Sequence, residues 1–169
     1  MTTSIISNLE RNSQVFHGLL SNIPKEQHLF REAPDKWNLL EIVCHLVDEE
    51  KEDFRMRVST TLEHPGQLPP PIDPPGWVTS RQYGQRDYEA KLAEFQYERE
   101  ASIAYLRGLE SPNWENSYQH PQLGELSALH FLTNWLAHDF HHIRQINAIN
   151  YAFLKSRGVD LSYAGNWKA

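Results

Sequence analysis

The longest uninterrupted helical pattern of the chain runs from residue 125 to about residue 153 and constrains the fold more than any other feature. Apolar residues recur there at spacings of three and four, which predicts a helix with one buried face. That face contains Phe131, Trp135, His138, His142, Ile146 and Ile149. Residues four apart on a helix are neighbours, so His138 and His142 can present two ring nitrogens to one ion. Because buried imidazoles need partners, the pattern predicts either a metal site or a hydrogen-bonded pair.

Three more amphipathic segments are predicted to be helices, at residues 3–21, from 38 to about 62, and 87–108. The second begins with a capping box, in which Asn38 and Glu41 satisfy free backbone N–H groups at the helix start. The intervals 21–36 and 109–124 are rich in turn-forming residues and are predicted to be connections. Four helices without a convincing strand predict an all-α four-helix bundle, with one domain over residues 1–169.

The connection between the second and third helices is unusually long and rich in proline. Residues 64–85 include six prolines and three glycines, a composition that is incompatible with a helix interior. A stiff segment of this length can run back along the bundle, which permits the third helix to lie parallel to the second. Its end then returns towards His45, so we expect Trp77, Arg81 or Tyr83 to form part of a pocket wall.

Composition excludes several classes of function. The 16 Lys and Arg residues against 22 Asp and Glu residues give a net charge of −6, so we expect no nucleic-acid partner. No apolar run reaches the roughly 18 residues of a membrane span, and the N-terminus does not have the layout of a signal peptide. We therefore expect a cytoplasmic protein without a membrane partner. Cys44 is the one cysteine of the sequence and is interpreted as a small buried hydrophobic residue rather than a nucleophile.

Two motifs carry a resemblance to a known family. One is Trp-Asn-Leu-Leu-Glu at 37–41 followed by His-Leu at 45–46, and the other is His-Asp-Phe-His-His-Ile-Arg-Gln-Ile at 138–146. Together they resemble the DinB-like (YfiT-like) family, whose members are assigned as metal-dependent enzymes. The resemblance implies an up-down-down-up four-helix bundle. It also implies one divalent metal ion, such as zinc or nickel, held by His45, His138 and His142, and weakly a homodimer. The family name does not imply DNA binding.

Some alternatives remain for these histidines. Taken alone, His45 is interpreted as a hydrogen-bonded core residue, and it becomes a ligand candidate only if the other two face it. His141 cannot share a face with His142, so we expect it to be partly exposed or to donate a hydrogen bond to a ligand. The segment 138–142 also approximates the HExxH zinc motif, but Asp139 is shorter than the glutamate of that motif and no later histidine completes the ligand set.

The expected chemistry follows from a site with three imidazoles. Such a site leaves a position open for water or a small-molecule substrate, and a bound zinc ion activates water, polarises a carbonyl or holds a thiolate. The reaction classes that the resemblance implies are hydrolysis, and transfer or isomerisation that involves a low-molecular-weight thiol. Glu49, one turn after His45, is a candidate base or water-positioning residue, while Asp48 and Asp139 are candidates for orienting ligands. The alternatives are solvated carboxylates, a metal- or ligand-binding module without turnover, and a structural bundle whose histidines bind water.

Overall fold

The computed structural model describes residues 1–165 and Trp167. Four long helical segments dominate it and are called courses here; they span residues 2–20, 39–63, 88–108 and 128–156. The second course is continuous from Leu39 to Glu63, with a π-helical turn between two α-helices. Among the described residues, none of the helices combines the length and the hydropathy of a membrane span. The helices are α1 Thr2–Leu20, α2 Lys25–His28, α3 Leu39–Asp48, the π-turn Glu49–Phe54, α4 Arg55–Glu63, α5 Pro74–Ser80, α6 Tyr88–Gly108 and α7 Ala128–Ser156, with short 3-10 turns at Tyr83–Gln85 and Ser162–Ala164.

The capping box predicted at the start of α3 is present. The side-chain oxygen of Asn38 accepts from the Glu41 backbone N–H at 3.0 Å, and Glu41 accepts from the Asn38 N–H at the same distance. Arg31 then binds both carboxylate oxygens of Glu41, at 2.6 and 2.7 Å. This double restraint sets the first residue of the helix that carries His45.

Contacts along the helices give the directions of two pairs. Lys51 contacts Glu94, and Arg55 contacts Ser102, so residue numbers rise together and the second course runs in the same direction as α6. Leu20 accepts a hydrogen bond from Tyr88, whereas Leu9 accepts one from Arg99, so α1 and α6 run in opposite directions. Both directions are ones that an up-down-down-up bundle requires.

The all-α expectation is wrong for the interval 109–124 and the residues just after it. Strands β1 Ser117–His120 and β2 Gly124–Ser127 form an antiparallel hairpin in which Tyr118 lies opposite Leu126. Four residues are too few to establish a period of two in a sequence. Both side chains are buried in the cluster that contains Phe131. Because Ser127 ends β2 and also caps α7, the last helix begins at Ala128 rather than at residue 125.

The proline-rich connection contains a helix that its composition did not predict. Helix α5 begins at Pro74, and the Asp73 carboxylate caps it by accepting from the Gly76 N–H at 3.2 Å. Prolines are tolerated in the first turn of a helix because those N–H groups have no partner within the helix. Trp77 and Tyr83 are buried and hold this segment against the bundle.

Three residues of the acidic run that begins at Asp48 are not solvated, contrary to one alternative from the sequence, whereas Glu52 of the same run is exposed. Asp48, Glu49 and Glu50 are consecutive and all buried. Each has a different neighbour: Asp48 accepts from the Tyr83 hydroxyl, Glu49 lies beside His45, and Glu50 binds Arg99. Hydrogen bonds compensate the burial of Asp48 and Glu50, whereas Glu49 lies 3.7 Å from its histidine neighbour.

A buried ion network lies at the centre of the bundle. Arg99 of α6 is 1% exposed and binds the carboxylates of Glu50 and Asp139 with pairs of hydrogen bonds of 2.7 to 3.0 Å. Asn12 of α1 donates to Asp139, and the Trp135 indole donates to Glu50. Burial opposes the charge of Arg99, but the two carboxylates outweigh it and raise its pKa. One guanidinium therefore links side chains from all four courses.

Replacing Arg99 with methionine is expected to lower the free energy of unfolding by about 3–5 kcal/mol, because two carboxylates are left buried without their cation. Denaturant titration followed by circular dichroism measures this change. Arg107→Met is the matched control, since Arg107 lies on the same helix but pairs with Glu10 at the surface. The control is expected to change stability by less than about 1 kcal/mol. An equal effect of both substitutions would contradict the central role of Arg99.

Candidate metal centre

Three histidines converge between the second course and α7. The Nε2 atom of His138 lies 3.2 Å from Nε2 of His45 and 3.0 Å from Nε2 of His142. His45 and His142 are buried, and His138 is partly exposed. His45 lies on the second turn of α3, while the other two lie one turn apart on α7, so the packing of two helices assembles the cluster.

All three rings are uncharged at neutral pH. Burial, together with the nearby rings of His142 and His141, lowers the pKa of His45 to about 3. Burial lowers the pKa of His142 to about 4, although its hydrogen bond with Gln145 acts in the opposite direction. Burial and the neighbouring imidazoles also lower the pKa of His138. Neutral imidazole is the form that binds metal ions, because the ligand atom needs a free lone pair.

The number of N–H groups on the three imidazoles indicates that this cluster fits a cation. A neutral imidazole has one N–H group. His142 directs Nδ1 towards the amide oxygen of Gln145 at 2.8 Å, which assigns the proton to Nδ1 and leaves a lone pair on Nε2. Nε2 of His138 contacts both other Nε2 atoms but can donate to only one. At most one of the two short Nε2–Nε2 contacts can therefore be a hydrogen bond, whereas a metal ion between the nitrogens accounts for both.

The spacing of the nitrogens also fits a metal. Zinc binds histidine nitrogens at about 2.0–2.1 Å, so two nitrogens at a tetrahedral zinc lie about 3.3 Å apart. The two short separations in the cluster, 3.0 and 3.2 Å, are close to that value. Three protein ligands leave a fourth position open, which distinguishes catalytic from structural zinc sites.

The histidines open into a cavity of about 410 Å³. Trp37 forms one wall, and its ring meets the His45 ring edge-on at a centroid distance of 4.9 Å. Of the described residues that line the cavity, Lys36 alone carries a full positive charge, and Asp35 lies 3.8 Å from its ammonium group. The lining residues are Asp35, Lys36, Trp37, His45, His138, His141, His142 and Gln145.

Glu49 lies next to the cluster rather than in the cavity. Its Oε1 atom is 3.7 Å from Nδ1 of His45, on the side of the ring away from His138. Burial, reinforced by the neighbouring carboxylate of Asp53, raises the pKa of Glu49 to about 9. Glu49 is not among the residues that line the histidine cavity.

The other candidate residues lie elsewhere. Trp77 and Arg81 line a separate cavity of about 540 Å³ between the second course and residues 70–81, where the Arg81 guanidinium covers the Trp77 ring. The Tyr83 hydroxyl donates to Asp48 at 2.5 Å. Asp139 binds Arg99 instead of a histidine. The structure therefore does not bring these residues to the three histidines.

His141 is exposed and lines the rim of the cavity, with its ring edge-on to that of His142. The contact of Gln145 with His142 was not predicted, although the two residues are three apart and therefore lie on one face of α7. Arg99 was also missed as the partner of Glu50 and Asp139. A signal for it exists, because Arg99 occupies an apolar position in the periodic pattern of α6.

Comparison with known proteins identifies the family. A model of the DinB superfamily matches residues 8–146. The chain belongs to the DinB superfamily. Among solved structures, YfiT from Bacillus subtilis is similar with a TM-score of 0.79 at 20% sequence identity, over 90% of this chain and 87% of that chain. YfiT is described as a probable metal-dependent hydrolase with an unusual four-helix bundle topology, and at this identity the likeness shows the fold. A search of curated proteins finds no match. The DinB-like resemblance of the two sequence motifs is confirmed.

Metal analysis of this DinB protein, purified without a histidine tag and dialysed against zinc or nickel, is expected to find close to one ion per chain. Each single loss of a ligand is expected to reduce the metal content to a trace, because only two of the three imidazoles remain. The three substitutions are His45→Ala, His138→Ala and His142→Ala. His141→Ala is expected to retain the ion, since its ring lies outside the convergent group.

The matched control is His130→Ala, which removes an exposed histidine from the same helix. Full metal content in the His138→Ala protein would contradict the assignment.

Proposed function

We propose that this protein is a metal-dependent hydrolase of small molecules that carry a carbonyl group, such as amides or esters. The observation that supports this most strongly is the convergence of three neutral Nε2 atoms at the bottom of an open cavity. In this proposal His45, His138 and His142 hold one divalent ion, with zinc and nickel as the candidates. The description of YfiT as a metal-dependent hydrolase is consistent with this reaction class.

The chain's own residues perform the remaining tasks. When bound, the metal supplies Lewis-acid chemistry, which polarises a carbonyl and activates water. Gln145 keeps the Nε2 lone pair of His142 directed at the ion through its hydrogen bond to Nδ1. Trp37 supplies an apolar wall for the substrate body. The three histidines line the cavity together with these residues, which gives a substrate access to the cluster.

The lining favours an uncharged substrate. The positive charge of Lys36 has a carboxylate neighbour in Asp35, so the cavity offers little net attraction to a strongly anionic group. An aromatic wall and an amide side chain instead match a neutral polar molecule. The cavity volume of about 410 Å³ is within the ordinary range for small-molecule sites.

Transfer that depends on a low-molecular-weight thiol is the second candidate reaction. A soft thiolate is a good ligand for zinc, and a three-histidine site has a free position for it. The thiol would come from a cosubstrate, because burial raises the pKa of Cys44 to about 12 and keeps that side chain protonated. Many such thiols are anionic, and the single Lys36 at the rim favours this candidate less than hydrolysis.

A substrate panel separates these reactions from binding without turnover. Neutral amides, neutral esters and thiol conjugates are incubated with the zinc-loaded protein. We expect hydrolysis of a neutral amide or ester that is lost on chelation, restored by zinc and abolished in His138→Ala. His130→Ala is expected to retain wild-type turnover, because His130 lies two turns away and outside the cavity. Turnover that survives chelation, or turnover of thiol conjugates alone, would contradict metal-dependent hydrolysis.

A further inference from the structure

The strongest unexplained feature near the cluster is a pair of buried polar atoms without partners. Nδ1 of His45 and Oε1 of Glu49 are both buried, and neither has a hydrogen-bond partner. They face each other at 3.7 Å, with both side chains less than 8% exposed. A buried donor or acceptor without a partner costs about 1–3 kcal/mol, so two such atoms that face each other need an explanation.

The position of Glu49 excludes a role in direct contact with substrate. Nε2 of His45 points towards His138, whereas Nδ1 lies on the other side of the ring and faces Glu49. The imidazole ring therefore separates Glu49 from the convergent nitrogens. Glu49 also does not line the cavity. A carboxyl group in this position can orient the metal-binding side chain of His45 but does not touch the reacting atoms.

We infer that Glu49 is a positioning residue, whose Oε1 accepts a hydrogen bond from Nδ1–H of His45 and so keeps the Nε2 lone pair directed at the metal. The inference rests on the metal site of the proposed function. A histidine that binds through Nε2 carries its proton on Nδ1, and a buried N–H group requires an acceptor. Shortening the separation by about 0.7 Å produces an ordinary N–H···O hydrogen bond.

The surroundings of Glu49 leave one oxygen free for this task. Asp53 lies one turn further along the second course, and its carboxylate adds to the effect of burial in raising the pKa of Glu49. Asp53 in turn forms an ion pair with Arg57. Arg57 therefore occupies Asp53, and His45 is the residue that faces the Oε1 atom of Glu49. Oε1 of Glu49 has no other hydrogen-bond partner, so it is available to accept from Nδ1–H of His45.

His142 shows the same arrangement with a different acceptor. Its Nδ1 contacts the neutral amide oxygen of Gln145 at 2.8 Å. His45 instead faces a carboxyl group from a residue four positions later on its own course. Two of the three ligands thus have an acceptor behind the ring, each from the next helical turn. The partners of ligating histidines fix the ring orientation, and their loss commonly weakens metal binding 10- to 100-fold.

Zinc titration of the full chain against a competing chelator provides the first test. Glu49→Leu removes the acceptor and is expected to raise the zinc Kd about 10- to 100-fold. Glu49→Gln keeps an acceptor oxygen and is expected to raise it less than about tenfold. Glu52→Gln is the matched control, since Glu52 belongs to the same acidic run but binds Arg81. We expect the control to keep the wild-type Kd.

Imidazole ¹⁵N NMR of the same proteins reports which nitrogen of His45 carries the proton. We expect an Nδ1 proton on His45 in the wild type and in Glu49→Gln, and its loss or exchange broadening in Glu49→Leu. The His142 signals are an internal reference, because Gln145 is unchanged. A merely structural effect of the substitution would not change one ring selectively.

The outcomes decide the inference separately from the proposed function. Wild-type Kd and an unchanged His45 spectrum in Glu49→Leu would overturn the positioning role. Failure of the wild type to bind zinc would overturn the metal site. The spectra of the metal-free proteins would still decide whether Glu49 accepts a hydrogen bond from Nδ1–H of His45. If Glu49→Leu does not fold, Glu49→Gln decides: its His45 Nδ1–H signal is expected to remain but to shift, because the acceptor changes from a carboxyl to an amide. A His45 signal at the same position as in Glu52→Gln would overturn the contact.

Discussion

The buried guanidinium of Arg99 is the interaction on which the rest of this structure depends. It binds Glu50 from the second course and Asp139 from α7, and its own helix packs against α1. Both carboxylates are direct sequence neighbours of residues at the site, since Asp139 follows His138 and Glu50 follows Glu49. A network that fixes the second course against α7 at these residues also sets the position of His138, which adjoins Asp139, and of His45, which lies five residues before Glu50. The cluster therefore depends on an ion network that contains none of its ligands.

Three adjacent acidic residues at the junction of α3 and the π-turn are buried against three different parts of the protein. Asp48 contacts the segment that carries Tyr83, Glu49 contacts His45, and Glu50 contacts Arg99. Consecutive residues on a helix point in different directions, so one short run serves the proline-rich connection, the candidate site and the core. π-Turns occur frequently at functional sites, and here the turn begins at the residue beside the His45 ring.

The sequence was sufficient for much of the fold because the helical periodicity is strong. The four courses and the cap at Asn38 follow from local patterns, and the family resemblance is confirmed by the match to the DinB superfamily. The grouping of His45 with His138 came from the resemblance, since these residues are 93 positions apart and no local pattern relates them. The Arg99 network was not predicted for the same reason. An isolated charge at an apolar position is a signal for a buried cation, but its partners lie on other helices.

The errors have local physical causes. The hairpin strands are four residues long, too short for an alternating pattern, and the acidic run resembles a solvated surface unless its partners are known. Trp77 and Arg81 line a cavity beside helix α5 that is separate from the histidine cavity, and their role in a substrate pocket stays a prediction. Loop length predicted how far this segment could reach but not which face it covers.

The central claim is that three histidines from two helices hold one metal ion. Anomalous diffraction from crystals of the zinc-loaded protein, collected on both sides of the zinc absorption edge, tests it directly. The account predicts one strong peak about 2.0–2.1 Å from Nε2 of each of His45, His138 and His142. A peak bound by other residues, or one that His45 does not contact, would contradict it.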